Sequence, residues 1–134
     1  MCVQYLTTTN TEWVKTHFDL ELPSSITHDV FPTYPGMIVL KSHNTERIAI
    51  GPARFGLIPA WAKDEDFGRK TYNARSETVS EKPSYRHAWS KRHYALALAD
   101  AFYEPCYESG KAVRTKIRQA NQEPMAIASI WDTW

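Results

Sequence analysis

The sequence predicts an α+β domain in which a mostly antiparallel, strongly curled sheet carries a few short helices on its outside. Apolar runs of strand length, bounded by turn residues, lie at 37–50, 95–103, 113–118 and 125–131. Helical spacing of apolar residues is confined to brief segments. The chain has 134 residues, 43% of them hydrophobic, which suits one domain with its own core. We therefore expect a single domain over residues 1–134.

The first predicted element is a short amphipathic helix over residues 10–18. Thr9 and Glu12 have the spacing of a capping box with Thr9 as the N-cap, and Trp13, Val14 and Phe18 follow at helical spacing. Residues 22–36 contain three prolines, which favours a loop.

Two strands are predicted next, at 37–40 and 47–50, paired across a polar turn. Residues 54–61 are interpreted as a strand that runs into a turn, because glycine and proline interrupt the apolar residues. A charged segment over 62–70 is expected to be exposed. A short helix around Tyr85 then carries its apolar side chains on one face.

The last three predicted strands are interpreted as a meander, with 95–103 as the central strand. Strand 113–118 alternates, so that Arg114, Lys116 and Arg118 share one face. A row of three cations can follow a phosphate backbone or can simply face water. The basic cluster from Arg86 to Arg92 leaves the same two interpretations open, and a solvated face is the commoner one.

Composition limits the function classes. The formal net charge is +1, so no bulk positive field indicates nucleic acid or a membrane, and any basic surface must be local. The two cysteines, Cys2 and Cys106, do not make a disulfide framework and fit a reducing compartment. The sequence shows neither a signal peptide nor an apolar run of about 20 residues that could span a membrane. We expect a cytoplasmic protein without a membrane partner.

The first two residues, Met1 and Cys2, carry the first chemical signal. Aminopeptidases remove Met1 when a small residue follows, which would leave an α-amine and a thiol on one carbon framework. The amine titrates at about pH 8 and the thiol at about pH 8.5, so both have a reactive fraction at neutral pH. Such an aminothiol can condense with an aldehyde to a thiazolidine, or act as an amino-terminal nucleophile. The alternative is that Cys2 follows the start codon by chance.

Two further polar stretches lie in apolar surroundings, at 73–78 (Asn-Ala-Arg-Ser-Glu-Thr) and 100–105 (Asp-Ala-Phe-Tyr-Glu-Pro). Each has a possible structural role on its own. Asn73 could satisfy a turn, Arg75 could pair with Glu77, and Glu104 could end a strand.

The order of these stretches along the chain resembles the SOS-response-associated peptidase (SRAP) family. The resemblance rests on Met-Cys at the start, then Gly-Leu-Ile-Pro-Ala-Trp, Asn-Ala-Arg-Ser-Glu-Thr, Lys-Pro-Ser-Tyr-Arg and Phe-Tyr-Glu, and it covers the whole chain. It implies a pseudo-barrel with a groove leading to Cys2. It also implies a bacterial or phage-encoded DNA damage protein that recognises abasic sites in single-stranded DNA and crosslinks to them.

The resemblance assigns roles residue by residue. Cys2 is the nucleophile once Met1 is lost. Asn73 hydrogen-bonds the N-terminal amine or the sugar oxygen, and Glu104 is the general acid/base. Arg75 contacts phosphate, which positions DNA without reading sequence. Trp61 and Pro35 match the wedge and stacking elements, while Arg86, Arg114 and Lys116 are weaker candidates for backbone contact.

The sequence departs from the family pattern in three places. Gln4 stands where the family has arginine, which predicts the loss of one phosphate contact. Ala101 and Pro105 flank the Phe-Tyr-Glu motif where the family has glycine and tryptophan. No histidine matches the active-site histidine of the family by order, so we expect a C-terminally truncated domain.

Two other functions stay open at this point. The same residues could form a thiol peptidase that removes its own Met1, or the chain could be a noncatalytic binder of single-stranded DNA. Two cysteines and five histidines show no metal-ligand spacing, so we predict neither a metal nor a cofactor. We expect a monomer.

Overall fold

The computed structural model describes residues 2–134; the predicted removal of Met1 therefore concerns a residue outside this range. Seven antiparallel strands form a strongly curled half-barrel, which confirms the predicted fold class. The strands are β1 (Gln4–Thr7), β2 (Asp29–Val30), β3 (Pro35–Lys41), β4 (Ile48–Arg54), β5 (Tyr94–Cys106), β6 (Val113–Ile117) and β7 (Met125–Ile130). The helices are α1 (Thr11–Phe18), α2 (Arg86–Ser90) and a 3-10 turn at Glu65–Lys70.

Strand β5 is the centre of the sheet because four strands pair with it. Its N-terminal half pairs with β3 on one edge and β7 on the other. Its C-terminal half pairs with β1 and β6 on those same two edges. The predicted central strand is thereby confirmed. The predicted meander is wrong, because β6 and β7 follow one another along one edge of β5 and are not a consecutively paired set.

A bulge at Asp100 sets which side chains of β5 face the concave side of the half-barrel. Thr7 pairs with Ala99 and Leu6 pairs with Ala101, so Asp100 is an extra residue in β5. Because directly paired residues point to the same face, Ala99 and Phe102 share one face although their numbers differ in parity. Glu104 follows Phe102 by two residues, so the bulge brings it to the concave face as well.

The two faces of the sheet bury separate cores. On the concave face, Tyr5, Val30, Ala97 and Ala99 pack together, with Cys2 and Phe55 at the margin. On the convex face, α1 lays Val14 against Val39 and Leu98.

Helix α1 starts one residue later than predicted. Its N-cap is Asn10, whose side-chain oxygen accepts a hydrogen bond from the Trp13 amide at 2.9 Å. Thr9 does not cap the helix, so the capping-box prediction is wrong. Asp19 ends the helix in a left-handed conformation at φ 54°.

No helix in residues 2–134 is long and apolar enough to cross a membrane.

Candidate functional site

Cys2 lies at the wall of a large cavity on the concave face of the half-barrel. The cavity has a volume of about 1310 Å³ and is bordered by strands β3, β4, β5 and β7 together with the segment that follows β4. Cys2, Tyr72, Asn73 and Tyr85 line one side of it.

The Asn73 side chain holds the backbone at Cys2. Its Nδ2 donates a hydrogen bond to the Cys2 carbonyl oxygen at 2.7 Å, across 71 positions of sequence. The Asn73 carbonyl in turn accepts a hydrogen bond from the Tyr85 hydroxyl at 2.8 Å. Tyr85, Asn73 and Cys2 thus form a chain of two hydrogen bonds that fixes the start of β1 against the segment after the 3-10 turn.

The Cys2 thiol is half-buried, and its environment keeps it protonated. Burial raises the pKa of the thiol above its ordinary value, while hydrogen bonds with backbone groups of Gln4 and Tyr103 act in the opposite direction. Sγ lies 3.3 Å from the Gln4 carbonyl oxygen, to which the thiol donates. A neutral thiol needs a proton acceptor when it attacks an electrophile.

The pairing between β1 and β5 brings Glu104 close to Cys2. Gln4 is opposite Tyr103 in the β1–β5 register, and the Cys2 thiol contacts the backbone of that same Tyr103. Glu104 is the next residue of β5, is partly buried, and points to the concave face for the reason given above. The fold therefore brings Cys2, Asn73 and Glu104, the three predicted catalytic residues, to one region.

The predicted DNA-contacting residues around this region are exposed. Arg75 begins a turn in which its carbonyl accepts a hydrogen bond from the Val79 amide. The neighbouring Ala74 and Ser76 line the cavity. Pro35 opens β3 directly opposite Arg54 of β4. Arg86 opens α2 next to Tyr85.

Trp61 sits on a loop that two glycines fix. The residue is 58% exposed, and its indole packs edge-on against the Phe67 ring with 5.0 Å between the ring centres. Gly56 has φ 122° and lies against the backbone of Gly68, so a side chain at Gly56 would be strained and would clash. This close contact ties the two ends of the loop together.

Arg114 and Lys116 lie on the other face of the sheet. Their partners in β5 are Pro105 and Tyr103, whereas Glu104 is paired with Thr115. The Arg114 guanidinium lies 4.0 Å from the centre of the Tyr103 ring, on the convex side. The structure thus separates these two residues from Cys2 by the thickness of the sheet.

Gln4, which stands where the family pattern has arginine, lies buried in β1. Its side chain is buried, with 4% of the residue exposed, and Nε2 donates to Asp29 at 2.8 Å. The loss of a phosphate contact relative to an arginine at this position stays a prediction.

Sequence reasoning missed the role of Tyr85. The sequence pattern predicts Tyr85 on a helix face, whereas it lies at the cap position before α2 and its hydroxyl donates a hydrogen bond to the Asn73 carbonyl. The Lys-Pro-Ser-Tyr-Arg run was a signal, but periodicity cannot show that a hydroxyl reaches a carbonyl twelve residues earlier. Among residues 2–134, no three His, Cys, Asp or Glu side chains converge in a way that could hold a metal ion.

The sequence is similar to one known family and to several curated proteins. The family model described as SOS response associated peptidase (SRAP) matches residues 1–134. The chain is 37% identical over 123 residues to the abasic site processing protein YoqW of Bacillus subtilis strain 168, covering 88% of this chain and 53% of the relative. It is 39% identical over 113 residues to the abasic site processing protein HMCES of Pongo abelii, covering 72% of this chain and 32% of the relative.

A solved structure also resembles the fold. A crystal structure of a Bordetella bronchiseptica protein matches with a TM-score of 0.82 at 33% identity, covering 98% of this chain and 64% of that one. A Bacteroides thetaiotaomicron structure with a TM-score of 0.73 and 20% identity supports the fold alone. The chain spans about half the length of the Bacillus relatives that it matches.

Proposed function

The chain belongs to the SOS response associated peptidase (SRAP) family, and on that premise we propose that it crosslinks covalently to abasic sites in single-stranded DNA through Cys2. The hydrogen bond from Asn73 to the Cys2 carbonyl carries the proposal, because it fixes the reactive residue at the wall of the cavity, and Glu104 is next in sequence to Tyr103, whose backbone the Cys2 thiol contacts. The relatives are named as abasic site processing proteins, which gives the substrate class.

The chemistry requires that the Met1–Cys2 peptide bond is first hydrolysed. The freed α-amine adds to the aldehyde carbon of the open-chain deoxyribose, and water leaves to give an imine. The thiol sulfur then adds to the same carbon, the imine electron pair passes to nitrogen, and the thiol proton ends on that nitrogen. One water is lost overall, and the product is a five-membered thiazolidine.

Asn73 and Glu104 would serve different steps. Asn73 holds the Cys2 backbone, so that amine and thiol face one carbon. Glu104 is the proposed general acid/base, which helps to open the sugar and accepts the proton of the thiol. The exposed Arg75, Arg86, Trp61 and Pro35 would hold the flanking strand by phosphate contact and stacking. Arg114 and Lys116 would contact only DNA that reaches the convex face.

The test is the intact mass of a sample that begins at Cys2, incubated with an oligonucleotide that carries one abasic site. We expect a species equal to protein plus DNA minus one water. Cys2→Ala should give none, and Cys106→Ala, which removes the only other thiol, should match the wild type. Glu104→Gln should slow formation by about 10²–10⁴-fold. An adduct with Cys2→Ala would contradict the proposal.

A peptidase function is the second candidate, favoured by the description of the matching family and by a nucleophile bonded directly to Met1. It predicts that purified protein still carrying Met1 loses that residue with time in the absence of an aminopeptidase. Cys2→Ala should keep Met1 under the same conditions. Retention of Met1 by the wild type would exclude self-processing and leave the crosslinking proposal untouched.

A further inference from the structure

Two aromatic rings project from a tight turn near the Cys2 site. The turn at 31–34 joins β2 to β3 and has the sequence Phe-Pro-Thr-Tyr. Phe31 is 41% exposed and Tyr34 is 49% exposed. Their ring centres are 5.8 Å apart at an angle of 70°, so the edge of one ring meets the face of the other.

The backbone of this turn is held in a strained conformation. The Thr33 amide donates to the Phe55 carbonyl at 2.6 Å, and the Phe55 amide donates to the Tyr34 carbonyl at 2.8 Å. A third hydrogen bond closes the turn from the Tyr34 amide to the Phe31 carbonyl at 2.9 Å. Thr33 has φ 80°, which a β-branched residue rarely adopts and which persists only where the surroundings enforce it. The two rings are therefore presented by a fixed frame.

The frame continues into the Cys2 region. The Phe55 ring packs edge-on against Tyr5 at 5.3 Å and against Tyr72, the neighbour of Asn73, at 5.7 Å. Tyr5 belongs to the same packed cluster as Cys2. Its hydroxyl lies directly against Gly36, just after the turn, where a Cβ would clash. Backbone hydrogen bonds between the turn and Phe55, followed by the ring contacts of Phe55, therefore link the turn to the site.

We propose that the Tyr34 ring is a stacking platform for an unpaired base next to the lesion at which Cys2 reacts, with Phe31 holding the ring edge-on. This inference rests on the proposed function for the identity of the ligand. Every base has an aromatic face, so stacking tolerates any sequence, whereas the bases of an intact duplex are already stacked on one another. A ring that is already fixed loses little conformational entropy when a base stacks on it.

The test measures the affinity for undamaged oligothymidylate and for a matched duplex by fluorescence anisotropy. Tyr34→Ala should raise the Kd for oligothymidylate by about tenfold or more, since it removes the stacking surface. Tyr34→Phe keeps the ring and should bind like the wild type. Tyr107→Ala is the matched control, because Tyr107 is 65% exposed on the far turn between β5 and β6, and it should leave the Kd unchanged.

Four results would overturn the platform: wild-type affinity in Tyr34→Ala, an equal loss in Tyr107→Ala, a loss in Tyr34→Phe as large as in Tyr34→Ala, or equal wild-type affinity for duplex and single strand. The crosslinking reaction is scored separately by intact mass. An absent wild-type adduct together with weakened oligothymidylate binding in Tyr34→Ala would reject the covalent function and support the platform. A normal adduct with no effect of Tyr34→Ala would reject the platform alone.

Discussion

Among single residues, Asn73 makes two hydrogen bonds that hold the candidate site together. It binds the Cys2 backbone through its side chain and Tyr85 through its carbonyl, so it connects two segments that share no strand pairing. The Asn73 side chain can bind the Cys2 backbone because residues 72–74 belong to no strand of the sheet. Its effect on Cys2 depends on how firmly Tyr85 holds the Asn73 peptide.

Tyr85→Phe should therefore slow crosslinking by about two- to tenfold, the value of one ordinary hydrogen bond. The ring stays in place and only the hydroxyl that donates to Asn73 is lost. Single-turnover adduct formation with abasic DNA measures the effect. Tyr107→Phe removes a hydroxyl from an exposed ring elsewhere and should react like the wild type. An unchanged rate in Tyr85→Phe would mean that Asn73 is held by other contacts.

Cys2, Asn73 and Glu104 could be proposed from the sequence because the order of the polar stretches that contain them resembles the pattern of the SRAP family. Their convergence could not be derived from residue patterns, since it depends on pairing between β1 and β5 and on a hydrogen bond across 71 positions. Gln4 illustrates the limit. Its polarity predicts exposure, yet Asp29 supplies a partner that allows it to be buried.

At the scale of elements, the strands β3 to β7 were predictable because each has apolar runs bounded by turn residues. Strand β1 was missed since its four residues, Gln-Tyr-Leu-Thr, are all buried and do not alternate in polarity. The bulge in β5 could not be predicted from the sequence either. A regular strand would place Ala99 and Phe102 on opposite faces, and only the pairing with β1 shows the extra residue.

Helix α1 offers a direct test of which residue caps it. Asn10→Ala removes the side-chain oxygen that accepts from the Trp13 amide, and it should lower the free energy of unfolding by about 1 kcal/mol. Thr9→Ala, one residue earlier, should change it by less than about 0.5 kcal/mol. Urea denaturation of both variants gives the comparison. A larger effect in Thr9→Ala would restore the capping box that the sequence suggested.

At the scale of the molecule, one buried phenol joins the two parts of the concave side. Tyr5 packs with Phe55, touches Gly36 and belongs to the cluster that includes Cys2. Burial raises its pKa to about 12 from an ordinary value of 10. The folded state therefore resists ionisation of a group that ionises readily in the unfolded chain.

This shift predicts how stability depends on pH at the alkaline end. The contribution of Tyr5 should be complete below about pH 10 and should be lost as pH rises from there through about 12. The loss amounts to about 2–3 kcal/mol. Tyr5→Phe has no proton to lose and should show a flatter profile over this range. Denaturation at a series of pH values, with wild type and variant side by side, decides it; parallel profiles would contradict the assignment.

The position of β5 also has a consequence for the order of events during synthesis. Gln4 pairs with Tyr103, so the start of the chain has no partner on its main edge until roughly 100 further residues have been made. At about 5–20 residues per second, that interval lasts roughly 5–20 s. Until then Cys2 lacks the strand that half-buries it. We expect that a processing enzyme reaches the Met1–Cys2 bond most easily in this window, before β5 half-buries Cys2.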